Sequence, residues 1–380
     1  MRISASLVIM VFLLGSLHPA AANDTPIWDI LDNPHSNSEV SYKDVKFLNS
    51  THGFVVGVTT EGIGGGVILY TNNSGDSWFE QHHDANQRFR QISIINQNVI
   101  WVTGYGGLVY TTDGGLNWTN STTIGSGTSG LGAISFINET HGWTSTNEVL
   151  YTTSDSGATW EDIPSWQYND TARDFHISGA RIWLIGYYGI YYSSDFGGTW
   201  SQQFGQGGWS LSFTEGDIAW AVADNMLAQS NNGLNWNYQA LPRISPFDGF
   251  SPPYYSDVLF LTSTIGWLAG LETPIAFTPN GGIDWYTQNT GTDNIRINGL
   301  DFINQTHGWA VGSRGTIIRT TMGDSYSLRL WKGLTDYVIV IPVAIAAVIG
   351  MISIVMLWKR IRNKNIPAHP TRKLESIEPI

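Results

Sequence analysis

Between residues 40 and 322 the apolar positions come in short runs separated by turns rich in Gly, Asn, Asp and Ser. Runs this short, with many β-branched and aromatic residues, predict strands rather than helices. In the first unit, 45–48 predicts an inner strand, which the Thr51-His52-Gly53 turn reverses into a second over 54–58. A third follows over 67–71, and a turn then leads into an outer strand opening with Trp78. Two signatures repeat this plan. One is the turn Thr/Ser-x-Asp-x-Gly-x-x-Trp, present as TNNSGDSW (71–78), TTDGGLNW (111–118), TSDSGATW (153–160), SSDFGGTW (193–200), QSNNGLNW (229–236) and TPNGGIDW (278–285). The other is a small residue, an aromatic and an apolar run, centred on Phe54, Trp101, Trp143, Trp183, Trp220, Trp267 and Trp309. The box tryptophans lie 40, 42, 40, 36 and 49 residues apart. A period near 42 with four short strands per unit is that of a propeller blade.

The expected fold is therefore an all-β, seven-bladed β-propeller with Asp-box turns, to which the apolar pattern of the C-terminus adds a single transmembrane helix. In each box the Asp or Asn accepts backbone N–H groups, Gly takes a conformation a side chain would forbid, and Trp fills the wedge between sheets. Seven inner aromatics against six boxes leave the last unit incomplete. We expect Ile27-Trp28-Asp29-Ile30-Leu31 to supply its outer strand and close the ring, which removes exposed sheet edges. The competing expectation is local completion by 326–331.

The ends have a different pattern. Residues 1–22 have Arg2, an apolar stretch and Ala20-Ala21-Ala22, the features of a secretory signal peptide. The 337–358 stretch lacks Asp, Glu, Lys and Arg, is bounded by Tyr337 and Trp358, and precedes Lys359, Arg360, Arg362 and Lys364. It reads as a membrane-spanning helix with the 359–380 tail cytoplasmic. The expected organisation is thus a signal peptide (1–22), a propeller ectodomain (23–331), the anchor (337–358) and a short basic tail. The expected location is a cell membrane, crossed once, with the propeller extracytoplasmic and monomeric.

Composition narrows the function. The chain of 380 residues has no cysteine and 17 tryptophans, and its net charge is −12. Residues 23–336 hold 12 Lys/Arg against 29 Asp/Glu, which argues against a nucleic-acid binder. Without cysteine there is no disulfide scaffold, thiolate metal site or thiol nucleophile. His52, His141 and His307 are equivalent turn residues in different blades and cannot converge on a metal. His82-His83 is a loop pair without a partnering carboxylate pattern. No cofactor or metal is expected.

Three long motifs, FLNSTHGF (47–54), FINETHGW (136–143) and FINQTHGW (302–309), combine with the boxes into F-x-N-x-x-HGW-x-VG, a third strand, then TTDGGxxW. In this the chain resembles the photosystem II stability/assembly factor family of propellers over roughly 26–322, best at 131–160 and 300–322. The resemblance implies a seven-bladed scaffold that binds partners while membrane complexes assemble, and it carries over no photosystem partner. The Asp box alone is shared with sialidases and sortilin-type receptors. A sialidase-like glycoside hydrolase, or a carbohydrate-binding surface protein, is the alternative. Such a hydrolase needs an arginine cluster, a glutamate-activated tyrosine and an acidic proton donor. Here the opening Arg-Ile-Pro motif is missing and the few glutamates sit on rims, so we expect no enzyme.

Strand order places the box and His-Gly turns on one face, and the loops feeding the inner strands on the other. Counting from inner-strand residues Phe47, Ile94 and Ile177, Lys43, Arg90 and Arg173 occupy one position four residues upstream. Arg88 and Arg296 lie two residues further out, and Arg314 is in the 312–315 loop. Tyr105, Tyr187 and Tyr188 stand in loops of that face, with Tyr254 and Tyr255 in the longest insertion (237–257) and Trp166 in another. A positive patch with aromatic anchors suits a protein or peptide partner of acidic character. On the opposing view the cations simply answer neighbouring Asp44, Asp174 and Asp301. Asn-x-Ser/Thr sequons, including Asn49, Asn138 and Asn304, are glycan acceptors where the host provides the enzyme.

Overall fold

The computed structural model describes residues 27–323 except 37–38, 60–63, 122–123, 125–129, 131, 147, 224–225, 241–253, 272–274 and 293–294. The signal segment, the 326–331 stretch, the 337–358 stretch and the tail lie outside the described residues. Among the described residues no helix is long and apolar enough to cross a membrane.

Seven four-stranded antiparallel sheets form the blades, six of them in simple up-and-down order. Blades 1 to 6 span 40–84, 88–121, 134–162, 174–204, 210–240 and 254–288. Blade 7 takes its inner three strands from 297–320 and its outer strand from Asp29–Ile30, which pairs with Arg319 and Ile318. The N-terminal segment closes the ring. Trp28 is buried at 1% exposure and stands edge-on to Phe302, centroids 5.8 Å apart. Box tryptophans Trp78 and Trp285 stand the same way on Phe47 and Phe260, at 6.0 Å each. Trp28 is thus the seventh box tryptophan, delivered from the opposite end of the chain.

The repeat residues explain the blade. The box threonine, more than the acidic residue, holds the turn glycine: Gly75, Gly115 and Gly282 N–H groups each donate 2.9 Å bonds to Thr71, Thr111 and Thr278 Oγ1. The Asp or Asn accepts from the residue four further on, as Asn117 N–H does to Asp113 Oδ1 at 2.9 Å. In the His-Gly turn, Asn49 Oδ1 accepts the N–H groups of Thr51 and His52, both at 2.9 Å, and Asn138 and Asn304 repeat this. The following glycine lies under an inner-strand ring: a Cβ on Gly53 would stand 2.6 Å from Phe47. That ring in turn stacks on the second-strand tryptophan of the preceding blade. Phe47 meets Trp309 at 3.5 Å, Phe260 meets Trp220 at 3.6 Å and Phe302 meets Trp267 at 3.8 Å.

Along the channel, inner strands are clipped together by side chains that accept a backbone N–H from the next blade. Asp44 Oδ2 accepts Ile92 (3.0 Å), Gln91 Oε1 accepts Ile134 (2.8 Å) and Asp174 Oδ2 accepts Leu211 (2.8 Å). Ser212 Oγ accepts Phe260 (2.7 Å), Asp257 Oδ2 accepts Leu300 (2.7 Å) and Asp301 Oδ2 accepts Phe47 (2.6 Å). Between blades 3 and 4 the backbone does this directly, Ala133 N–H to Ala172 O at 2.9 Å. A buried carboxylate costs free energy unless hydrogen-bonded, and these clips meet that need while fixing blade order.

Three sequence expectations are corrected. Tyr254 and Tyr255 belong to the inner strand Tyr254–Phe260, where Tyr255 is 2% exposed, so they are sheet residues rather than insertion residues. Trp166 is no surface anchor: it is buried against Tyr168, Tyr191 and Trp200. His82 and His83 lie in the outer strand Phe79–Asp84, with His82 packed against Phe89 and Trp118.

Candidate channel-mouth site

A cavity of about 1050 Å³ occupies the channel. Its mouth is built by one repeat position. Four residues before Phe47, Ile94, Phe136, Ile177, Phe213, Phe260 and Phe302 of the seven inner strands stand Lys43, Arg90, Gly132, Arg173, Trp209, Ser256 and Asn298, and all seven line the cavity. In four blades this residue is the extra one of a register shift: Lys43 between Tyr42 and Asp44, Arg90 between Phe89 and Gln91, Ser256 between Tyr255 and Asp257, Asn298 between Ile297 and Gly299. A bulge breaks the alternation of the strand and re-aims the side chain. The position thus turns to the channel, directly before the clipping residue in three of these blades (Asp44, Gln91 and Asp257) and three residues before it in the fourth (Asp301).

Of the expected site residues, Lys43, Arg88, Arg90, Arg173, Arg296, Tyr105 and Tyr187 line this one cavity. Arg314 and Tyr188 do not. Arg314 is exposed at φ 58° in a turn whose next residue, Gly315, donates to Val40 O at 2.7 Å, and Tyr188 is 67% exposed beside Tyr187. The view that the cations answer Asp44, Asp174 and Asp301 fails on geometry, because those carboxylates bind backbone N–H groups of the adjoining blade. Among the described residues the ion pairs are His35–Glu80, Lys46–Asp44, Arg181–Asp217 and Arg319–Asp76. None involves a mouth cation.

Aromatic rings hold three of the cations instead. Arg173 Cζ lies 3.5 Å from the Tyr187 ring centroid and 3.4 Å from that of Trp209. Trp209 stands edge-on to Tyr254 at 5.7 Å, and Arg296 Cζ is 5.5 Å from Tyr254. Arg90 lies 5.7 Å over Tyr105. Lys43 Nζ donates to Ser41 Oγ at 2.8 Å. Trp209 and Asn298 were legible by the same four-residue offset but lack the charge that drew attention to their equivalents.

Charge is layered with depth. Below the cationic mouth lie Asp44, Asp174, Asp257, Asp301 and Lys46. Burial pushes the carboxyls up, Asp174 to about 6 and Asp257 to about 7, against the pull of Lys46 and the backbone hydrogen bonds. Asp44 and Asp301 are raised by the same burial. Burial alone would lower the Lys46 ammonium, but the summed attraction of these four carboxylates overrides it and holds it above its ordinary value. At the mouth, burial and then the charges of Arg296 and Arg90 bring Lys43 down to about 8. Shifted carboxyls in a cleft often mark catalysis; here each one is occupied as an inter-blade clip. Among the described residues no group of three or more His, Asp or Glu is arranged to hold a metal ion.

Known proteins resemble this chain in sequence and in fold. The family described as "Photosynthesis system II assembly factor YCF48" fits residues 20–124. The photosystem II assembly lipoprotein Ycf48 of Synechococcus sp. (strain CC9902) is 25% identical over 339 residues, covering 83% of this chain and 96% of that one. A solved structure described as YCF48 bound to D1 peptide superposes with a TM-score of 0.63 at 19% identity, covering 79% of this chain and 99% of the other. A virginiamycin B lyase of Staphylococcus aureus shares the fold as well (TM-score 0.62, 10% identity, 78% of this chain and 99% of that one), so the architecture alone does not settle activity. In fold and in repeat sequence, the chain is a seven-bladed Asp-box propeller like those of the photosystem II stability and assembly factors.

Proposed function

We propose that the propeller is a non-enzymatic scaffold that binds an acidic protein or peptide segment at its channel mouth, in the assembly or stabilisation of membrane or envelope complexes. The observation that carries this reading is the convergence of Lys43, Arg88, Arg90, Arg173 and Arg296 on one concave mouth, without a carboxylate paired to any of them among the described residues. Such a mouth inside an acidic body focuses potential on one opening and favours carboxylate ligands. The similarity to a structure described as bound to a peptide supports the same reading. A segment anchored through 337–358, with the propeller outside the membrane, completes it on the evidence of the sequence pattern alone. The test is crosslinked pull-down of the full-length chain from native membranes, beside the charge-reversed variant Arg90→Glu/Arg173→Glu/Arg296→Glu. Loss of the captured protein in the variant supports the reading, and unchanged capture sinks it. Turnover of a sialoside or other glycoside by the purified chain would overturn the non-enzymatic part.

A further inference from the structure

Arg173 differs from the other mouth cations in how completely it is held. Both faces of its guanidinium are covered, by Tyr187 at 3.5 Å and Trp209 at 3.4 Å, and Nη1–H donates to Gly208 O at 3.1 Å. Its Nε is shielded and has no partner among the described residues. A free arginine has many rotamers, and ordering one on binding costs entropy that a pre-set side chain avoids.

The two covering rings are themselves placed by identifiable devices. Asp170, 1% exposed, accepts Tyr187 N–H on Oδ1 at 2.7 Å, and Tyr188 N–H at 2.8 Å and Tyr191 O–H at 2.9 Å on Oδ2. Its carboxyl therefore grips the turn that carries Tyr187. Gly186 N–H closes that turn on Gly189 O at 2.9 Å. On the other side, Gly207 and Gly208 run so close to the backbone of 186–187 and of Val222 that neither has room for a Cβ. Gly208 N–H donates to Gly186 O at 2.9 Å and Trp209 N–H to Val222 O at 2.8 Å. The result brings an indole of blade 5 opposite a phenol of blade 4 with one guanidinium between them.

We propose that Asp170, Tyr187 and Trp209 are positioning residues that hold the Arg173 guanidinium edge-on to the channel mouth, so that a carboxylate meets it in its own plane. With both faces stacked, an anion can approach only along the edge of the planar fork, where two parallel N–H···O bonds form. The inference rests on the carboxylate-binding reading above, and its test separates the two.

The full-length chain carrying 15N-arginine is examined by side-chain 15Nε–1Hε NMR, with Arg173→Lys to assign the signal, and by titration with a fluorescein-labelled hexaglutamate peptide. Arg173 is expected to give a ring-current-shifted, exchange-protected line. Tyr187→Leu, Trp209→Leu and Asp170→Asn each move it to the position of a free arginine and weaken hexaglutamate about tenfold, the scale of a desolvated cation–π contact. Tyr187→Phe, which keeps the ring, keeps the ring-current-shifted line. In an Arg173→Ala background the same changes have no further effect on affinity. Unchanged lines in the three variants overturn the proposal. So does an equal loss of affinity in the Arg173→Ala background, which is the signature of a mouth that has merely lost its shape. Shifted lines in a chain that does not bind hexaglutamate leave the positioning standing and remove the carboxylate reading.

Discussion

Lys43 is held at about 8 by burial, Arg296 and Arg90. A lysine with a lowered value loses its charge as pH rises through that value, so the mouth loses a cation just above neutrality. Hexaglutamate affinity is expected to fall between pH 7.5 and 9, with proton uptake on binding at pH 8; Lys43→Arg, which stays charged, flattens the profile. Calorimetric titration in two buffers of different ionisation enthalpy checks both. At this scale the sequence was partly readable. Spacing within a repeat is sequence information, so Lys43, Arg90 and Arg173 could be placed together by counting. Arg314 could not, because the direction of its turn depends on a left-handed φ and on Gly315 docking to residue 40. Nor could the occupation of Asp44, Asp174 and Asp301, whose partners are N–H groups of the adjoining blade.

At the scale of one blade, the His-Gly turn and the box are packing devices, and their costs can be stated. Gly53→Ala places a methyl 2.6 Å from the Phe47 ring, which itself stacks on Trp309. Overpacking of this kind costs about 1–3 kcal/mol, read as a lower urea midpoint at unchanged m-value. Trp28→Ala is expected to cost about 3–5 kcal/mol, the range for removing a large buried aromatic. Trp78→Ala, at a box tryptophan 5% exposed that stands on Phe47 as Trp28 stands on Phe302, should destabilise by a similar amount. A Trp28→Ala chain as stable as the wild type would contradict ring closure by the N-terminal strand. Strand positions were legible because turn residues punctuate each apolar run. The bulges were not, since an inserted residue looks like any other in the sequence and only the register reveals it.

For the whole molecule, the clips and boxes give stability opposite dependences on pH. Asp174 and Asp257 have folded values raised to about 6 and about 7, well above the ordinary value near 3.9 for an unfolded chain. The folded state then holds more protons, so this contribution is full below about pH 4 and is lost as pH rises through 6 and 7. The box carboxylates Asp113, Asp155 and Asp195 are lowered, chiefly by hydrogen bonds from Asn117, Thr159 and Thr199, so their contribution is present above about pH 4 and is lost on further acidification. Buried His176, whose value burial lowers to about 4, acts in the opposite sense to the clips: its share is present above its ordinary value of about 6.5 and is lost as pH falls through 4. The clip contribution is therefore read as a difference between chains: the melting temperature of Asp257→Asn relative to the wild type is expected to rise from pH 5 to pH 8, and a difference that stays flat or falls over that range would contradict the assignment.

The closed ring also imposes an order of events. The Thr320 hydroxyl donates to the Ile27 carbonyl across 293 residues of chain, and contacts so distant in sequence form only after the intervening loop has been shortened by other structure. Of the propeller's described strands, the one synthesised first is therefore the one that pairs last. Until blade 7 is made, Asp29 and Ile30 have no sheet to join, and blade 7 offers an open edge in turn. The vulnerable period of the propeller is the interval between the synthesis of Asp29–Ile30 and that of blade 7, when a ring not yet closed is open to proteases and to pairing with a second copy.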